Sequence, residues 1–570
     1  MPVPNIKVES FLSLVQAASR EDLSWMHGYL SATLGVTGVA APASASGPPV
    51  PKVSRFTLAY GTETGNSKKL ATTLAKKAKE RGFQVKLVAL EQYRLKDLPK
   101  ETHFFLIVST QGDGEPPAAA LNFFEHIQQP DLDLKGMSFA VLALGDTAYP
   151  LFCQAGMDAD SHLAARGANR LLPVVKCDTV YEAEADKWLT DVLAALEGAA
   201  SGPAAPAQTA AAPAAPTGKE HFHGEVLTNI NLNDTPSAKE THHLEISCPD
   251  GLDYAPGDAA GFIAVNPGPL VDRVLAALGL NGAEEVAFRG QSGPLREILS
   301  NKPNLTWLPD RVIKKYAALT SQTIESPRVN LDELLRAHPA SGLDPSALLE
   351  ILEPITPRLY SISSSPASHP GELHLTVARS TFKNADGSTG GGLCSTFLCQ
   401  LPEEAQIEFH IHKNQSFKLP APETDIIMVG PGTGIAPFRS FLFERDAQGA
   451  SGRNWLFFGD QHFVTDFLYQ TELQDFLKTG VLHRLDTAFS RDQAEKVYVQ
   501  HRLLEHAAEI FAWLESGTVF YVCGARNPMS VDVENTLLEI IQTQGGLDSE
   551  KARTYLDELS DNGRYLKDVY

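Results

Sequence analysis

The chain has 570 residues, a formal net charge of −21 from 69 acidic against 48 basic side chains, and 43% apolar residues. That length exceeds what one core sustains, so three or four domains are expected. The acidic balance argues against a nucleic-acid binder, whose affinity rests on basic groups meeting phosphates, and fits a protein that meets a basic partner. Six cysteines (Cys153, Cys177, Cys248, Cys394, Cys399, Cys523) form no CxxC and no zinc spacing with histidine, which points to free thiols in a reducing compartment. No apolar run approaches the ~18 residues of a membrane helix, and the N-terminal residues lack signal-peptide order, so a cytoplasmic protein away from the membrane is expected.

Residues 1–50 hold a small segment in which Leu23, Met26, Leu30 and Leu34 recur at helical spacing, then the Pro/Ala/Ser-rich stretch 42–50. The segment reads equally as a helical pair packed on the body or as a self-association element. Residues 54–197 alternate near-continuous apolar runs (RFTLAY, FQVKLVAL, HFFLIVST, SFAVLALG, LLPVVKC) with helical stretches such as SKKLATTLAKKAKERG. This pattern predicts a parallel sheet covered on both faces, in the doubly wound flavodoxin-like order. Residues 198–218 are Pro/Ala-rich with little to bury and read as a linker between bodies that move relative to each other. Residues 219–420 carry short alternating strands at both flanks, as in a small β-barrel, around a mostly helical insertion at about 268–350. Over 421–570 strand and helix alternate again, with strands DIIMVG, NWLFFGD, HRLDTAF and TVFYVCG.

Three loops of the first α/β segment carry chemistry. Thr62-Glu63-Thr64-Gly65-Asn66-Ser67 follows the first strand and opens the first helix, where hydroxyls and backbone N–H groups can wrap a phosphate. It lacks the lysine of a nucleoside-triphosphate loop. Ser109-Thr110-Gln111-Gly112 follows the third strand, and Leu144-Gly145-Asp146-Thr147-Ala148-Tyr149-Pro150-Leu151-Phe152-Cys153 follows the fourth. Each loop alone reads as a structural turn, but all three belong at the strand C-termini, where such sheets bind ligands. Glycines there let backbone approach a flat ring, and Tyr149 can stack on it. The three segments resemble the flavodoxin domain of diflavin reductases. By that resemblance Thr62–Ser67 hold the FMN phosphate, Ser109–Gly112 line the ring, and Leu144–Cys153 flank its other side.

In the second half, Arg358-Leu359-Tyr360-Ser361 on a barrel strand can pair a pyrophosphate, pack on a flavin and bond its ring, although a half-buried strand would look similar. The RxYS pattern resembles the FAD signature of ferredoxin-NADP reductases, and Gly392-Leu393-Cys394-Ser395 resembles the pyrophosphate segment of that family. The resemblance adds Thr306 to the FAD contacts, with Thr376, Val377 and Ala378 near the adenine side. Phe382 stands where relatives often carry tyrosine, so one polar contact is expected to be weaker. GPGTGIAPFR, with Gly432 and Thr433, is similar to the loop that takes the NADP diphosphate. Ser490, Arg491, Lys496, Val497, Tyr498, Val499 and Gln500 form a segment whose hydroxyls and cations can take a 2′-phosphate, or that reads as a solvated charged loop; the resemblance to the family favours NADPH over NADH, and by it Asp532 matches a further nucleotide contact. By the same resemblance Cys523, Ser361 and Asp568 steady hydride transfer, and Tyr570 stacks on the FAD ring until nicotinamide displaces it. Ala525 departs from the usual CGD and is expected to alter nucleotide contacts or helix capping modestly.

The implied fold is multidomain α/β plus β-barrel: a flavodoxin-like sheet, a ferredoxin-NADP reductase-like FAD barrel with a helical insertion, and an NADP-binding α/β domain. The implied cofactors are FMN, FAD and NADPH. Within diflavin reductases, CQAG, NWLFFGD, DFLYQ, SRDQ, EKVYVQ and the terminal DVY are similar to the flavoprotein branch of assimilatory NADPH sulfite reductases. That branch implies a sirohaem and iron–sulfur β-subunit as acceptor, with oligomerisation through the N-terminal segment. The alternative is a diflavin reductase serving another soluble haem acceptor. Asp113, Glu115, Glu125, Asp131 and Asp133 can steer a basic docking face, or form a solvated acidic surface.

Overall fold

A computed structural model describes residues 55–62, 65–111, 114–145, 151–178, 181–197, 220–249, 251–324, 329–340, 342–383 and 389–570. The N-terminal segment and the 198–218 linker lie outside these residues, as do Glu63, Thr64, Gly112, Asp113 and Asp146 to Pro150 of the predicted site.

Strands β1 (Arg55–Gly61), β2 (Gln84–Ala89), β3 (His103–Ser109), β4 (Ser138–Leu144), β5 (Asn169–Arg170) and β6 (Val175–Cys177) form a parallel sheet in the order β2-β1-β3-β4-β5, with β6 also paired to β4. This is the doubly wound order read from the strand pattern. β3 is buried throughout Phe104–Val108 because helices cover both faces. The fifth strand differs from the expected run: β5 pairs with Ser138 and Phe139 and β6 with Leu142 to Leu144. Between them stands Pro173, which has no N–H to give a ladder.

The second sheet contains β7 (His221–Asn231), β8 (Thr241–Ser247) and β9 (Ala259–Phe262). After a hairpin of β10 (Glu285–Phe288) and β11 (Gln291–Pro294), it is completed by β12 (Arg358–Ser361), β13 (Glu372–Ala378) and, past the small hairpin β14 (Thr381–Lys383) and β15 (Thr389–Gly391), by β16 (Gln406–His412). The order is β12-β9-β16-β7-β8-β13, antiparallel throughout. Its two end strands meet at one bridge, Ile362 to Leu375, rather than along a ladder, so the expected barrel is curled but not closed by a ladder. Helices Gly268–Leu278, Leu295–Asn301, Asp310–Thr320, Leu331–Ala337 and Pro345–Ile351 form the insertion and bury their own core, with Val271, Leu299, Leu305, Leu331 and Tyr316 fully enclosed.

The third sheet is parallel: β17 (Ile426–Val429), β18 (Asn454–Asp460), β19 (Arg484–Phe489), β20 (Val519–Gly524) and β21 (Tyr565–Val569), in the order β19-β18-β17-β20-β21. Four of these strands are legible as apolar runs. The fifth, β21, is the segment that reads as a frayed tail. Its ladder on β20 pairs Cys523 with Asp568 and Gly524 with Val569. Among the described residues no helix is long and apolar enough to cross a membrane.

Candidate active site

At the C-terminal edge of the first sheet, Thr62 Oγ1 accepts the N–H of Gly65 at 2.9 Å, and Gly65 turns the chain with φ +92° into the helix Asn66–Glu80. Ser67 is fully buried in the first turn of that helix, and its hydroxyl has no partner among the described residues. The buried Ser109 hydroxyl at the end of β3 is likewise unpartnered. An orphaned hydroxyl in the first turn of a helix, with a second at the end of the neighbouring strand, fits an anionic phosphoester such as the FMN tail.

The other two loops lock onto each other. Thr110 donates its N–H to Leu144 O at 2.9 Å and accepts from Ala155 N at 3.3 Å, and Gln111 closes on Glu115. Gly145 faces the start of the next helix so closely that a Cβ there would stand 2.7 Å from Cys153 N and 2.9 Å from its Sγ. Cys153, at φ +59°, is enclosed and hydrogen-bonds to Ala143 O and Cys177 O, and burial pushes its thiol up to about 12. It is therefore a packing residue of the third loop and not a nucleophile. Leu151 packs under Gly114, and Phe152 lies below the Lys176 ammonium.

On the second sheet, β12 pairs with β9 and sets Arg358 outward, while Tyr360 packs edge-on against Phe262. Gly391 and Gly392 open the helix Leu393–Cys399. A Cβ on Gly391 would collide with Thr396 Oγ1, and that hydroxyl is buried without a partner among the described residues. Bare backbone beside an orphaned hydroxyl fits a pyrophosphate. Ser395 is already satisfied, accepting from Ser380 N and donating to Gly392 O, and Cys394 is buried. Thr306 is fixed by Asn304 through both N–H and hydroxyl, and Phe382 packs on Trp307.

The side chains of two residues expected at the FAD are engaged within the protein. Thr376 Oγ1 bonds Tyr469 Oη at 2.7 Å, and Val377 is enclosed in the core of the sheet, leaving only Ala378 partly exposed. The cause is strand alternation: β13 has one face on that core and the other on a polar seam. In the seam, Arg439 is buried, pairs with Glu472 through two hydrogen bonds, and donates to Ser363 O at 2.9 Å and to His374 Nδ1 at 3.1 Å. Burial and this guanidinium hold His374 down to about 2, so its imidazole stays neutral. His243, His374 and Glu245 come within metal-ligand reach of one another. The guanidinium donating to His374, however, makes the cluster an interdomain polar lock and a poor cation site.

Between the second and third sheets, Ser361 Oγ donates to Asp568 Oδ2 at 2.9 Å, and Cys523 Sγ lies 3.9 Å from the same oxygen. Burial raises the Asp568 carboxyl above its usual range and raises the Cys523 thiol well above its own. Tyr570 is exposed, held by its hydroxyl on Thr433 Oγ1 at 2.7 Å and by backbone bonds to Gly524 and Arg526. The three predicted catalytic side chains and the terminal tyrosine therefore do meet.

In the GPGTG loop, Gly434 packs on Cys523 O with no room for a Cβ, while Gly432, at φ +57°, opens toward Lys239 Nζ. Ser490 is tied to Asp460 O, and Arg491 and Lys496 stand exposed on the next turn with Tyr498. Val497 is half-buried and Val499 is buried under them, and Gln500 Nε2 reaches Asp532 Oδ2 at 3.3 Å. Ala525 leaves the turn after β20 without a side-chain cap. Sequence reading missed Lys239. It projects from the β7–β8 hairpin, bonds Asp460 at 2.6 Å, 221 positions away, and lies across the nucleotide loop, and no motif marks it because these neighbours in space are far off in sequence.

Family models match in chain order: a flavodoxin over residues 58–188, an FAD binding domain over 300–397 and an oxidoreductase NAD-binding domain over 428–535. Fold, loops and matches agree on a flavoprotein oxidoreductase that works with FMN, FAD and NADPH. The chain is 40% identical over 599 aligned positions to the NADPH sulfite reductase flavoprotein alpha-component of Bacillus subtilis, covering 100% of this chain and 99% of that protein. The alpha-components of Shewanella oneidensis (38%, covering 100% and 98%) and Klebsiella pneumoniae (40%, covering 98% and 97%) match similarly. The chain belongs to the family of NADPH sulfite reductase flavoprotein alpha-components.

Proposed function

We propose that this chain delivers electrons for assimilatory sulfite reduction, from NADPH to FAD to FMN and then to a sirohaem and iron–sulfur haemoprotein β-subunit that forms sulfide. The observation that carries this reading is the meeting of Ser361, Cys523 and Asp568 beside Tyr570, where the FAD sheet abuts the nucleotide sheet. When bound, the nicotinamide supplies electrons in pairs and the two flavins release them singly.

The chain's own residues bind, orient and shield. Thr62 to Ser67 would hold the FMN phosphate, with Ser109 to Gly112 and Leu144 to Cys153 on either side of its ring. Thr306, Arg358 to Ser361, Thr376 to Ala378, Phe382 and Gly392 to Ser395 would hold FAD, with Tyr570 on its ring. Gly432, Thr433, Ser490, Arg491, Lys496, Tyr498, Gln500 and Asp532 would hold NADPH, with Lys239 across the loop. Asp568 fixes the Ser361 hydroxyl proton on its Oδ2, and burial keeps the Cys523 thiol neutral. The Tyr570 ring is held by one hydrogen bond, through its hydroxyl, and so can swing aside at low cost while the backbone bonds keep the strand in place.

The same reading divides the chain into an N-terminal segment (1–50), an FMN domain (54–197), a linker (198–218), an FAD domain (219–420) and an NADPH domain (421–570). It assigns homo-oligomerisation to the N-terminal segment on its helical apolar spacing. It places the protein in the cytoplasm, in keeping with six cysteines that remain free thiols. Reconstitution of the purified chain with a sirohaem β-subunit tests it. Equimolar FMN and FAD, with sulfide formed from sulfite and NADPH, are expected. Both flavins bound and cytochrome c reduced without sulfide would direct the chain to another soluble haem acceptor, and a preparation holding one flavin would refute the two-flavin reading.

A further inference from the structure

Trp307 is a large aromatic residue at φ +48°, a backbone region that bulky side chains rarely adopt, and it is 38% exposed. It is no frayed loop residue. Leu305 and Leu308 on either side are buried in the helical insertion, and its N–H is held by Asn330 Oδ1 at 3.0 Å. The preceding Thr306 is clamped by Asn304. A strained backbone so firmly supported presents the indole outward for a purpose.

The indole meets Phe382, with ring centroids 4.3 Å apart and planes inclined at 50°. Phe382 lies on β14 opposite Gly390 of β15, one step from Gly391 and Gly392. Ser380, two residues earlier, accepts the Gly392 N–H at 2.9 Å and gives its own N–H to Ser395. The aromatic pair is therefore built onto the pyrophosphate segment, and the flavin-side groups Tyr360 and Ser361 stand on a different strand, β12.

We propose that Trp307 is the stacking platform for the adenine of FAD, with Phe382 backing it. This rests on the reading of Gly392 to Ser395 as the pyrophosphate segment. Position 382 carries no hydroxyl in this chain, and the neighbouring indole supplies by stacking what a hydrogen bond from that position would supply. Stacking on an exposed aromatic face needs only a flat ring, which adenine offers.

The test is FAD affinity of the full-length chain, stripped of flavin and titrated with FAD, with FMN content of the first domain as the fold control. Trp307→Ala is expected to weaken FAD binding on the order of tenfold while FMN content holds. Trp307→Phe keeps most of the affinity, and Phe382→Tyr added to Trp307→Ala recovers part of it. Unchanged FAD affinity in Trp307→Ala overturns the proposal and leaves the FAD reading standing. Loss of FMN as well as FAD from both Trp307 variants overturns it in favour of a purely structural role. Failure of the unmutated chain to take up FAD overturns the underlying reading instead.

Discussion

Ser361 Oγ and Asp568 Oδ2 are 2.9 Å apart although 207 positions separate them in sequence, and their hydrogen bond joins β12 of the antiparallel sheet to β21 of the parallel one. Asp568→Asn keeps the shape and removes the charge. Flavin reduction by NADPH is expected to slow on the order of 10²-fold, with FAD content unchanged, in stopped-flow measurements. Burial raises the Asp568 carboxyl, so in the unmutated chain the rate falls as pH drops through a value above the ordinary carboxylate range. That acid limb is expected to vanish in the variant, and its persistence would assign the titration to another group.

Gly145 has no space for a methyl group, because a Cβ would press on the Cys153 backbone at 2.7 Å. Gly145→Ala must shift the third FMN loop, at a cost of about 1–3 kcal/mol. Purified protein is expected to lose FMN while retaining FAD, and a full FMN complement would show that the loop yields.

Glu115, on the loop after β3, forms an ion pair with Arg311, which is itself held by the buried Glu353. Removing Arg311 would strand Glu353, so Glu115→Gln is the cleaner probe. Both partners of the outer pair are partly exposed, which limits it to about 0.2–1 kcal/mol. Electron transfer between the flavins is expected to slow about twofold to fivefold at low salt, and the difference should disappear at about 1 M salt. A salt-independent defect would contradict an electrostatic role.

His374 is buried, with burial and Arg439 holding its imidazole down to about 2. The unfolded chain binds a proton near the ordinary histidine value and the folded chain does not. Stability is therefore complete above about pH 6.5 and declines as pH falls below it. Denaturant midpoints at pH 7.5 and 5.5 should differ, with this residue contributing about 1 kcal/mol, and His374→Asn should reduce the difference. An unaltered difference would place the sensitivity on His243 or His369, which burial also depresses.

Loops whose chemistry sits in consecutive residues after an apolar strand were legible in the sequence. Thr62, Gly65 to Ser67, Ser109 to Thr110 and Gly432 to Thr433 lie where strand and glycine patterns put them. Groups assembled across the chain were not. β21 is short and polar at Lys567 and Asp568, so nothing in its pattern announces a strand, and its ladder on β20 creates the Cys523–Asp568 contact. Thr376 shows the converse: the strand was readable, but which face met the seam depended on Tyr469, ninety-three positions later. Pro173 interrupts a run whose hydrophobicity alone promises one unbroken strand.

Arg439 lies on the helix after the nucleotide loop, yet its guanidinium bonds Ser363, just past β12, and His374 on β13 of the antiparallel sheet, and Lys239 in the turn between β7 and β8 returns the exchange at Asp460. A chimera cut near residue 421 would leave a buried cation facing a foreign surface at a cost of about 3–5 kcal/mol. The FAD and nucleotide sheets therefore constitute one heritable piece, to be grafted or recombined together, whereas the Glu115–Arg311 ion pair that links the first sheet to that piece is partly exposed and would need far less repair if cut.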